Sequence, residues 1–491
     1  MWYGIMRLLQ HSSGADTFSF WRVEGSAATR LFWALLAVLT LLRLVLAARL
    51  GVTPDEAYYW TWSQHLQPGY LDHPPMIAAW IRIGTYLCGQ NALGIRLLGP
   101  VSAFLGSAVL VRAGRDLLGS RAAGYRAALL LNATLMLGLG AATATPDTPL
   151  VFFLTLALWA LGRLHVTGRG LWWGAIGLFF GLAFDSKYTA VLPAFGCGLW
   201  ALFTPGIRRQ WGSVLAGVVV GLAAILPVVF WNATHHWASF LKQGGRTGDW
   251  HPLRALNFLG ELAGGQIGLA TPLVFLLFCL GVIWCVRRAR MESVPRLLAC
   301  LCLVPVIVFV QHAFGGRVQA NWPVVLYPAA ALAAAATARS IAVACALGLT
   351  LTALVTLQGI FSPLRLSAHH DVIARQAADW SGLTARVRDA LPPGRALVVG
   401  DYALAAIMTY QDPAHPVFSY DRRWAYLDRS QQSPGPAMLL LRESEKPDLP
   451  SSWLGGEVTR HLCRMLRGEP MICYRLITLS LPAHVTLYRL P

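Results

Sequence analysis

Apolar stretches of about 20 residues recur along this 491-residue chain and constrain its fold more than any other feature. A helix of that length crosses about 30 Å of hydrocarbon, where no water satisfies an open backbone. The stretches lie at residues 30–50, 92–112, 125–143, 147–163, 211–231, 263–286, 295–314, 321–338 and 339–360. The sequence therefore predicts a polytopic α-helical membrane protein.

The composition supports the same class. Hydrophobic residues make up 56% of the chain and charged residues only 13%, which is more apolar side chain than a soluble protein buries. In such a chain the formal charge of +17 is typical of basic cytoplasmic loops and does not indicate nucleic-acid binding. Asp16 and Glu24 precede the first apolar run, so we expect that run to be retained as an anchor.

A longer apolar block at 171–203 is interrupted by Asp185, Ser186 and Lys187. We interpret it as two short spans, which brings the predicted total to eleven. Each half is roughly 21–24 Å long as a helix, shorter than the hydrocarbon core. The connecting turn is therefore predicted to lie recessed in a protein-lined cavity, and interrupted helices of this kind often mark a binding site.

Basic residues predict the orientation. If the N-terminus is cytoplasmic, the inner segments carry sixteen basic residues and the outer loops six, as the positive-inside rule requires. This count holds only if residues 74–89 do not cross the membrane, so we predict an amphipathic helix there, lying along the outer interface. Residues 51–91 then form a large outer loop.

The composition changes after residue 360. Residues 361–491 hold 12 of the chain's 23 acidic residues, and short alternating or apolar runs predict strands at 395–400, 415–420, 437–443 and 484–490, with a helix at 401–411. We predict a transmembrane domain at 1–360 and a small outer α/β domain at 361–491. Cys463 and Cys473 share the second domain, and whether they form a disulfide is left open.

Ionisable residues near the outer membrane face are the candidates for chemistry, because charge at membrane depth is costly and tends to mark function. They are Asp55, Glu56, Asp147, Asp185, Lys187, His235, His236, Arg246 and Arg317. A carboxylate beside a recessed cation suits transfer from an anionic lipid, since one group takes a proton and the other neutralises the departing phosphate.

Structural roles explain the same residues without any chemistry. Thr53 or Asp55 is a plausible helix cap, Asp147 between prolines a turn residue, and Lys187 a side chain that reaches up to the headgroups. Tyr58 and Tyr59 fit an aromatic belt as well as a sugar platform. The residues alone do not separate an enzyme from a transporter.

A family resemblance favours an enzyme over a transporter. "DEAYYWTWSQHL" followed by "YLDHPPMIAAWIRIGTYLCG" resembles the first outer loop of lipid-linked-sugar glycosyltransferases with the GT-C fold. Specifically, it looks like the bacterial branch of the protein O-mannosyltransferase superfamily, which includes the aminoarabinose transferase of lipid A. Further matching segments are "ATPDTPL", "DSKYTAVLP", "WNATHHWASF", "QANWPVVLYPA" and, in the outer domain, "YDRRWAYLD".

The resemblance implies an inverting transfer of a sugar from a polyprenyl phosphate to an envelope acceptor at the periplasmic face of the inner membrane. It implies catalytic roles for Asp55, as base or acceptor-orienting group, for Glu56 as its helper, and for Asp147 as the second acid. The expected substrate-binding residues are Tyr58, Tyr59, Asp72, His73, Lys187, Tyr188, His235, Arg246, Arg317 and Asn321.

Partners and alternatives complete the prediction. We expect a polyprenyl-phosphate sugar donor, a lipid-linked or glycan acceptor, membrane lipids and no nucleic acid. No cofactor is expected to be required, although a divalent metal on Asp55, Asp147 and His235 is kept as an alternative. A protein acceptor, as in a protein O-mannosyltransferase, and a lipid or sugar transporter are the alternative functions.

Overall fold

The computed structural model describes residues 27–244, 252–338, 340–367, 370–427, 431–446, 448–450, 453–482 and 485–490. Contacts divide the chain into two units, Met1–Leu39 and Thr40–Pro491, and every contact discussed below lies within the second. The α-helices are α1 Ala27–Arg49, α2 Pro54–Gln64, α3 Met76–Cys88, α4 Ala92–Arg96, α5 Leu98–Leu118, α6 Arg121–Asn132, α7 Leu135–Gly138, α8 Asp147–Thr167, α9 Trp172–Phe184, α10 Val191–Phe203, α11 Pro205–Arg208, α12 Trp211–Thr234, α13 Ala238–Gly244, α14 Pro252–Ala270, α15 Pro272–Arg288, α16 Ser293–Ala313, α17 Tyr327–Thr337, α18 Ala342–Phe361, α19 Val372–Ala377, α20 Trp380–Ala390 and α21 Tyr402–Gln411. Short 3₁₀ helices lie at Gly140–Ala142, Tyr188–Ala190, Trp322–Leu326 and Arg422–Leu427.

Long apolar helices confirm the membrane class. In the part of the chain that the structure describes, six helices are long and apolar enough to cross a bilayer, or eight if each of two bent pairs is one span. Shorter apolar helices occupy the two halves of the 171–203 block and residues 322–337. Each predicted apolar segment is thus helical, while the number of spans, eleven, stays a prediction.

Two segments predicted as straight spans are bent. α6 and α7 meet at 77°, and α14 and α15 meet at 108°. At the second bend Thr271 has a φ of 68° and is followed by Pro272. Proline supplies no backbone N–H and disfavours helical geometry in the residue before it, which accounts for the break in the helix predicted over 263–286.

Glycines bring α9 and α12 into backbone contact. Gly177 and Gly181 are spaced by four residues on α9, as are Gly217 and Gly221 on α12. A Cβ at Gly177 would lie 1.8 Å from the carbonyl oxygen of Gly217, and one at Gly181 would lie 2.7 Å from Ala224 Cβ. Small residues at this spacing let membrane helices pack closely by van der Waals contact.

We expect Gly177→Ala to destabilise the protein by about 1–3 kcal/mol, because the added methyl group forces the two helices apart. Gly174→Ala is the matched control, since it lies on the same helix and its Cβ would meet nothing within 4 Å. Thermal unfolding in detergent measures both. Equal melting temperatures for the two variants would contradict this account of the packing.

The helix predicted over 74–89 is present as α3 and has two distinct faces. Ile77, Ala78 and Ile81 are buried, whereas Ile83 and Leu87 are exposed. An apolar exposed face is what a helix lying in a membrane interface presents to lipid. The prediction of a surface helix within the first outer loop is consistent with this pattern.

The C-terminal region folds around a mixed sheet, as predicted. Its strands in the described residues are β1 Ala396–Val399, β2 Val417–Ser419, β3 Gln431–Gln432, β4 Ala437–Arg442, β5 Leu454–Leu466, β6 Glu469–Leu479 and β7 Leu487–Arg489, in the order β3-β7-β2-β1-β4-β6-β5. β1 pairs in parallel with β2 and β4, and the other pairs are antiparallel. The boundary at residue 360 itself stays a prediction.

The long β5–β6 hairpin is absent from the sequence prediction. Its two-residue loop places Arg467 and Gly468 at φ values of 53° and 86°, the positive values that a type I′ hairpin turn requires. Cys463 pairs with Cys473 across the two strands and forms a disulfide. β5 carries several charged residues, so its sequence lacks the apolar run by which the other strands were recognised.

The first outer loop and the sheet share one hydrophobic core. Tyr58 and Trp62 of α2 belong to the same buried cluster as Leu404 of α21, Trp424 and Met438 of β4. This core holds the sheet against the start of α2, where the acidic pair lies.

Candidate active site

A capping box starts α2 and fixes the position of the acidic pair. The Thr53 hydroxyl accepts a hydrogen bond from the backbone N–H of Glu56, and the Glu56 carboxylate accepts one from the backbone N–H of Thr53. Pro54 occupies the first helical position, where its missing N–H costs nothing. The cap is thus Thr53, and the Asp55 carboxylate is not used for capping.

Glu56 is buried and fully engaged. Its two oxygens accept hydrogen bonds at 2.6 Å from Arg96 Nε and Nη2, and Oε1 also accepts from the backbone N–H of Ala144 at 2.8 Å. Burial alone would raise the pKa of Glu56, but the Arg96 guanidinium and these hydrogen bonds hold it below its ordinary value. Glu56 therefore fits a positioning role better than the catalytic helper role predicted from the sequence.

Asp55 differs from Glu56 in exposure, in hydrogen bonding and in the direction of its pKa shift. Its side chain is exposed, and the Tyr402 hydroxyl donates to its Oδ1 at 3.5 Å. Neighbouring groups exclude part of the water around the carboxylate, which raises its pKa; the hydrogen bond from Tyr402 opposes this rise, and the charges of Glu56, Asp401 and Asp72 add to it. Asp55 is thus an accessible carboxylate with a raised affinity for a proton.

Asp147, Lys187 and Asn321 form a second, buried cluster. The Lys187 ammonium donates to Asp147 Oδ1 at 2.6 Å, and the Asn321 amide donates to Asp147 Oδ2 at 2.6 Å. The exposed fractions of the Lys187 and Asp147 side chains are 6% and 3%. The start of α8, the turn after α9 and the residue before the 3₁₀ helix Trp322–Leu326 therefore meet in this cluster. Because Lys187 is buried there, the alternative that it reaches up to the headgroups is wrong.

Asp72 joins three parts of the chain. It accepts a hydrogen bond from the Tyr58 hydroxyl at 3.0 Å, forms an ion pair with Lys242 of α13, and lies 3.8 Å from Arg423 Nη1. Burial alone would raise its pKa, but the bond and charge of Lys242, with Arg423, hold it below its ordinary value.

The rings of Tyr59 and His73 are neighbours, with centroids 6.0 Å apart. Burial raises the pKa of Tyr59, and the charges of Asp55, Asp72 and Asp147 raise it further. Burial, then the charge of Lys187, lowers the pKa of His73 to about 4, so its ring is neutral at pH 7. Both rings are thus within electrostatic reach of both clusters.

Three predicted binding residues in the described ranges make other contacts. The Tyr188 hydroxyl bonds Ser239, His235 stacks on Trp231 with its Nδ1 2.8 Å from the Trp231 carbonyl, and Arg317 forms an exposed ion pair with Glu261. Arg246 lies outside the described residues. His235 is thus engaged by its own helix and not by the charged clusters.

The predicted metal set is not assembled. Within the described ranges, no group of three or more His, Cys, Asp or Glu side chains lies close enough to hold a metal ion. Asp147 is already bonded to Lys187 and Asn321, and His235 to a backbone carbonyl. The residues present do not fit the metal site that was kept as an alternative, and dependence on a metal stays untested.

The sequence prediction missed four residues of this region. Arg96 sits within an apolar segment, Lys242 counted only as a basic loop residue, and Tyr402 had no distinguishing signal. Arg423 does fall within "YDRRWAYLD", the tail segment that matched the family pattern. That segment was the available signal that the sheet contributes to the site.

Comparisons with known proteins show what the sequence and the fold are similar to. Residues 72–231, which include Asp72, Asp147 and Lys187, match the family model described as dolichyl-phosphate-mannose-protein mannosyltransferase. The chain is 30% identical over 292 residues to the lipid A galacturonosyltransferase RgtD of Rhizobium johnstonii. It shares the fold of ArnT from Cupriavidus metallidurans bound to undecaprenyl phosphate, with a TM-score of 0.62, 15% identity and coverage of 93% of this chain and 98% of that one. The chain thus has an ArnT-like fold and, over part of its length, sequence similarity to these two groups of enzymes.

The extent of each match differs. The apo ArnT structure from the same organism gives a TM-score of 0.60 at 17% identity, over 92% of this chain and 98% of that one. The alignment with RgtD spans 57% of this chain and 59% of RgtD. The GT-C fold therefore extends over nearly the whole chain, sheet included, while the sequence match covers a little more than half of it.

We expect Glu56→Gln to destabilise the protein by about 3–5 kcal/mol, because it leaves the Arg96 guanidinium buried without its counter-charge. Asp55→Asn is the matched control one residue away, and its melting temperature should stay near that of the wild type. Since the folded-state pKa of Glu56 is depressed, its stabilisation is present above the ordinary Glu value of about 4.3 and is lost as the pH falls through the folded value. Equal unfolding temperatures for both variants at pH 7 would contradict the assignment.

Proposed function

We propose that this protein is an inverting glycosyltransferase that moves a sugar from a polyprenyl-phosphate donor to lipid A or a related envelope glycan. The observation that carries the proposal is an accessible carboxylate, Asp55, and a buried cation, Lys187, whose charges act on the neighbouring rings of Tyr59 and His73 respectively. Such a pair can activate an acceptor at one end and neutralise a leaving phosphate at the other.

The chemistry follows from these positions. Asp55 accepts the proton of the acceptor hydroxyl while the acceptor oxygen bonds the anomeric carbon from the face opposite the phosphate. The bond from that carbon to the phosphate oxygen breaks, and its electron pair leaves with the polyprenyl phosphate. If the acceptor is itself a phosphate, it needs little deprotonation, and Asp55 mainly orients it.

Lys187 is suited to the leaving group. An ammonium has three donors, and Asp147 accepts from one of them. As negative charge grows on the departing phosphate oxygen, the ammonium stabilises the transition state more than the bound donor. Asn321 and Asp147 hold Lys187 in place in this scheme.

An apolar groove beside this turn suits the polyprenyl chain. It has a volume of about 250 Å³ and is lined by residues of α9, α10 and α12, among them Phe180, Phe184 and Val191. Phe184 and Val191 flank the turn that carries Lys187 in sequence. A prenyl chain lying there would bring its phosphate toward the ammonium.

The acceptor class rests on sequence similarity. The match to a lipid A galacturonosyltransferase spans 292 residues, whereas the mannosyltransferase model matches residues 72–231 only. We therefore favour lipid A over a protein acceptor. The corresponding location is the inner membrane, with a cytoplasmic N-terminus and with the outer loop and sheet in the periplasm.

Asp55→Asn should lower transfer by about 10²–10⁴-fold, the usual range for losing a general base, without lowering the melting temperature. The assay supplies purified enzyme with undecaprenyl-phosphate galacturonic acid and lipid A, and measures the mass added to lipid A. In cells, intact mass spectrometry of lipid A and envelope proteins with and without the gene gives the acceptor. Mass added to a protein would favour the mannosyltransferase alternative, and transfer by Asp55→Asn at the wild-type rate would overturn the role of Asp55.

Lys187→Ala should lower turnover by raising the activation free energy about 2–4 kcal/mol, as expected for the loss of one electrostatic contact to developing charge. Because that change also leaves Asp147 buried without its partner, the double variant Asp147→Asn/Lys187→Ala separates the two effects. We expect it to regain stability but not turnover. Recovery of turnover in the double variant would mean that Lys187 serves only to neutralise Asp147.

A further inference from the structure

The sheet reaches the start of α2 through paired aromatic rings. Tyr402 lies at the first position of α21, with its ring centroid 4.7 Å from that of Tyr58. Near the other end of α21, Tyr410 lies 5.2 Å from Trp60. Both tyrosines therefore pack α21 on α2, and of the two it is Tyr402 whose hydroxyl reaches Asp55.

A continuous set of contacts connects Asp55 to Asp72 through the sheet region. The Tyr402 hydroxyl donates to Asp55 Oδ1 at 3.5 Å, the Arg423 guanidinium carbon lies 3.7 Å from the centre of the Tyr402 ring, and Arg423 Nη1 lies 3.8 Å from Asp72 Oδ2. A guanidinium over an aromatic face is an attractive arrangement that also restricts the ring.

The hydrogen bond from Tyr402 stabilises the Asp55 carboxylate among other negative charges. Glu56 of the same helix, Asp72 of the outer loop and Asp401 of the sheet region place like charge near its carboxylate. Within the described residues, the Tyr402 hydroxyl donates a hydrogen bond to this carboxylate. The bond is long at 3.5 Å, and hydrogen bonds to catalytic groups often tighten only when substrate binds.

We propose that Tyr402 is a positioning residue for Asp55, and that Arg423 holds the Tyr402 ring in place. The sheet then completes the active site, because the Asp55 carboxylate is oriented only when α21 is packed on α2. This inference rests on the proposed function for its catalytic consequence, since it takes Asp55 as the group that acts on the acceptor.

Tyr402→Phe tests the hydroxyl while keeping the ring. We expect kcat to fall about tenfold, the loss typical for a hydrogen bond to a charged group, with the KM for undecaprenyl-phosphate galacturonic acid unchanged. The hydrogen bond from Tyr402 lowers the pKa of Asp55, so its loss should raise that pKa. Because ionised Asp55 is the active form, the acid limb of the pH–rate profile should move to higher pH. Tyr410→Phe is the matched control on the same helix and should change neither quantity.

Two substitutions test the role of Arg423: one removes its charge, and the other keeps the charge but removes the planar guanidinium. Arg423→Gln should lower kcat about as much as Tyr402→Phe, and Arg423→Lys should restore only part of it, because a lysine lacks the planar group that stacks on the ring. Arg422→Gln removes the same charge from the neighbouring, exposed position and should leave kcat near wild type.

An infrared titration of the Asp55 carboxylate separates this inference from the proposed function. Spectra of the Asp55→Asn variant are subtracted, and the apparent pKa is read for the wild type, Tyr402→Phe and Tyr410→Phe. An upward shift in Tyr402→Phe alone supports the inference even if the wild type transfers no sugar, which would overturn the function. Equal titrations in the three proteins would overturn the inference, even with wild-type transfer intact.

Discussion

The buried ion pair between Glu56 and Arg96 holds together the part of the molecule on which the candidate site depends. Arg96 donates to the carbonyl oxygens of Ala47, Leu50 and Gly51 at the end of α1, which have no partner within that helix. Glu56 accepts from the start of α2 and from Ala144, shortly before α8. Because two buried charges are tolerated only when fully bonded, this pair fixes where one helix ends, the next begins, and a third approaches.

Two adjacent acids thus come to have opposite properties. Glu56 faces inward to a guanidinium, so its carboxylate stays charged and inaccessible. Asp55, one residue earlier, faces out beside Tyr402 and other carboxylates, so it is accessible and binds a proton more readily. The difference arises from the period of the helix that follows Thr53, which turns successive side chains by about 100°.

Membrane burial and sheet packing make separate contributions to the site. The ends of α8 and α9 bring Asp147 and Lys187 together within the helical part of the chain, where the pair is shielded from water. The sheet region brings Tyr402 and Arg423 to the start of α2 through a shared aromatic core. The ArnT-like fold extends over both parts of the chain.

Much of this could be predicted from the sequence, because it depends on local patterns. Apolar length determines the membrane helices, alternation determines β1, β2, β4 and β7, and the two short halves around Lys187 determine a recessed turn. The motif around Asp55 predicted the acidic pair and its outer loop. These signals lie within about twenty residues, so no tertiary contact is needed to recognise them.

Only the tertiary structure decided which of these residues meet. The pairings Glu56–Arg96, Asp147–Asn321 and Asp55–Tyr402 join positions 40, 174 and 347 residues apart, and no local pattern specifies a partner at such distances. The same limit explains why His235 and Arg317 were grouped with the site although they face other neighbours. A sequence shows which side chains carry charge, but packing determines which charges are buried, paired or left open to a substrate.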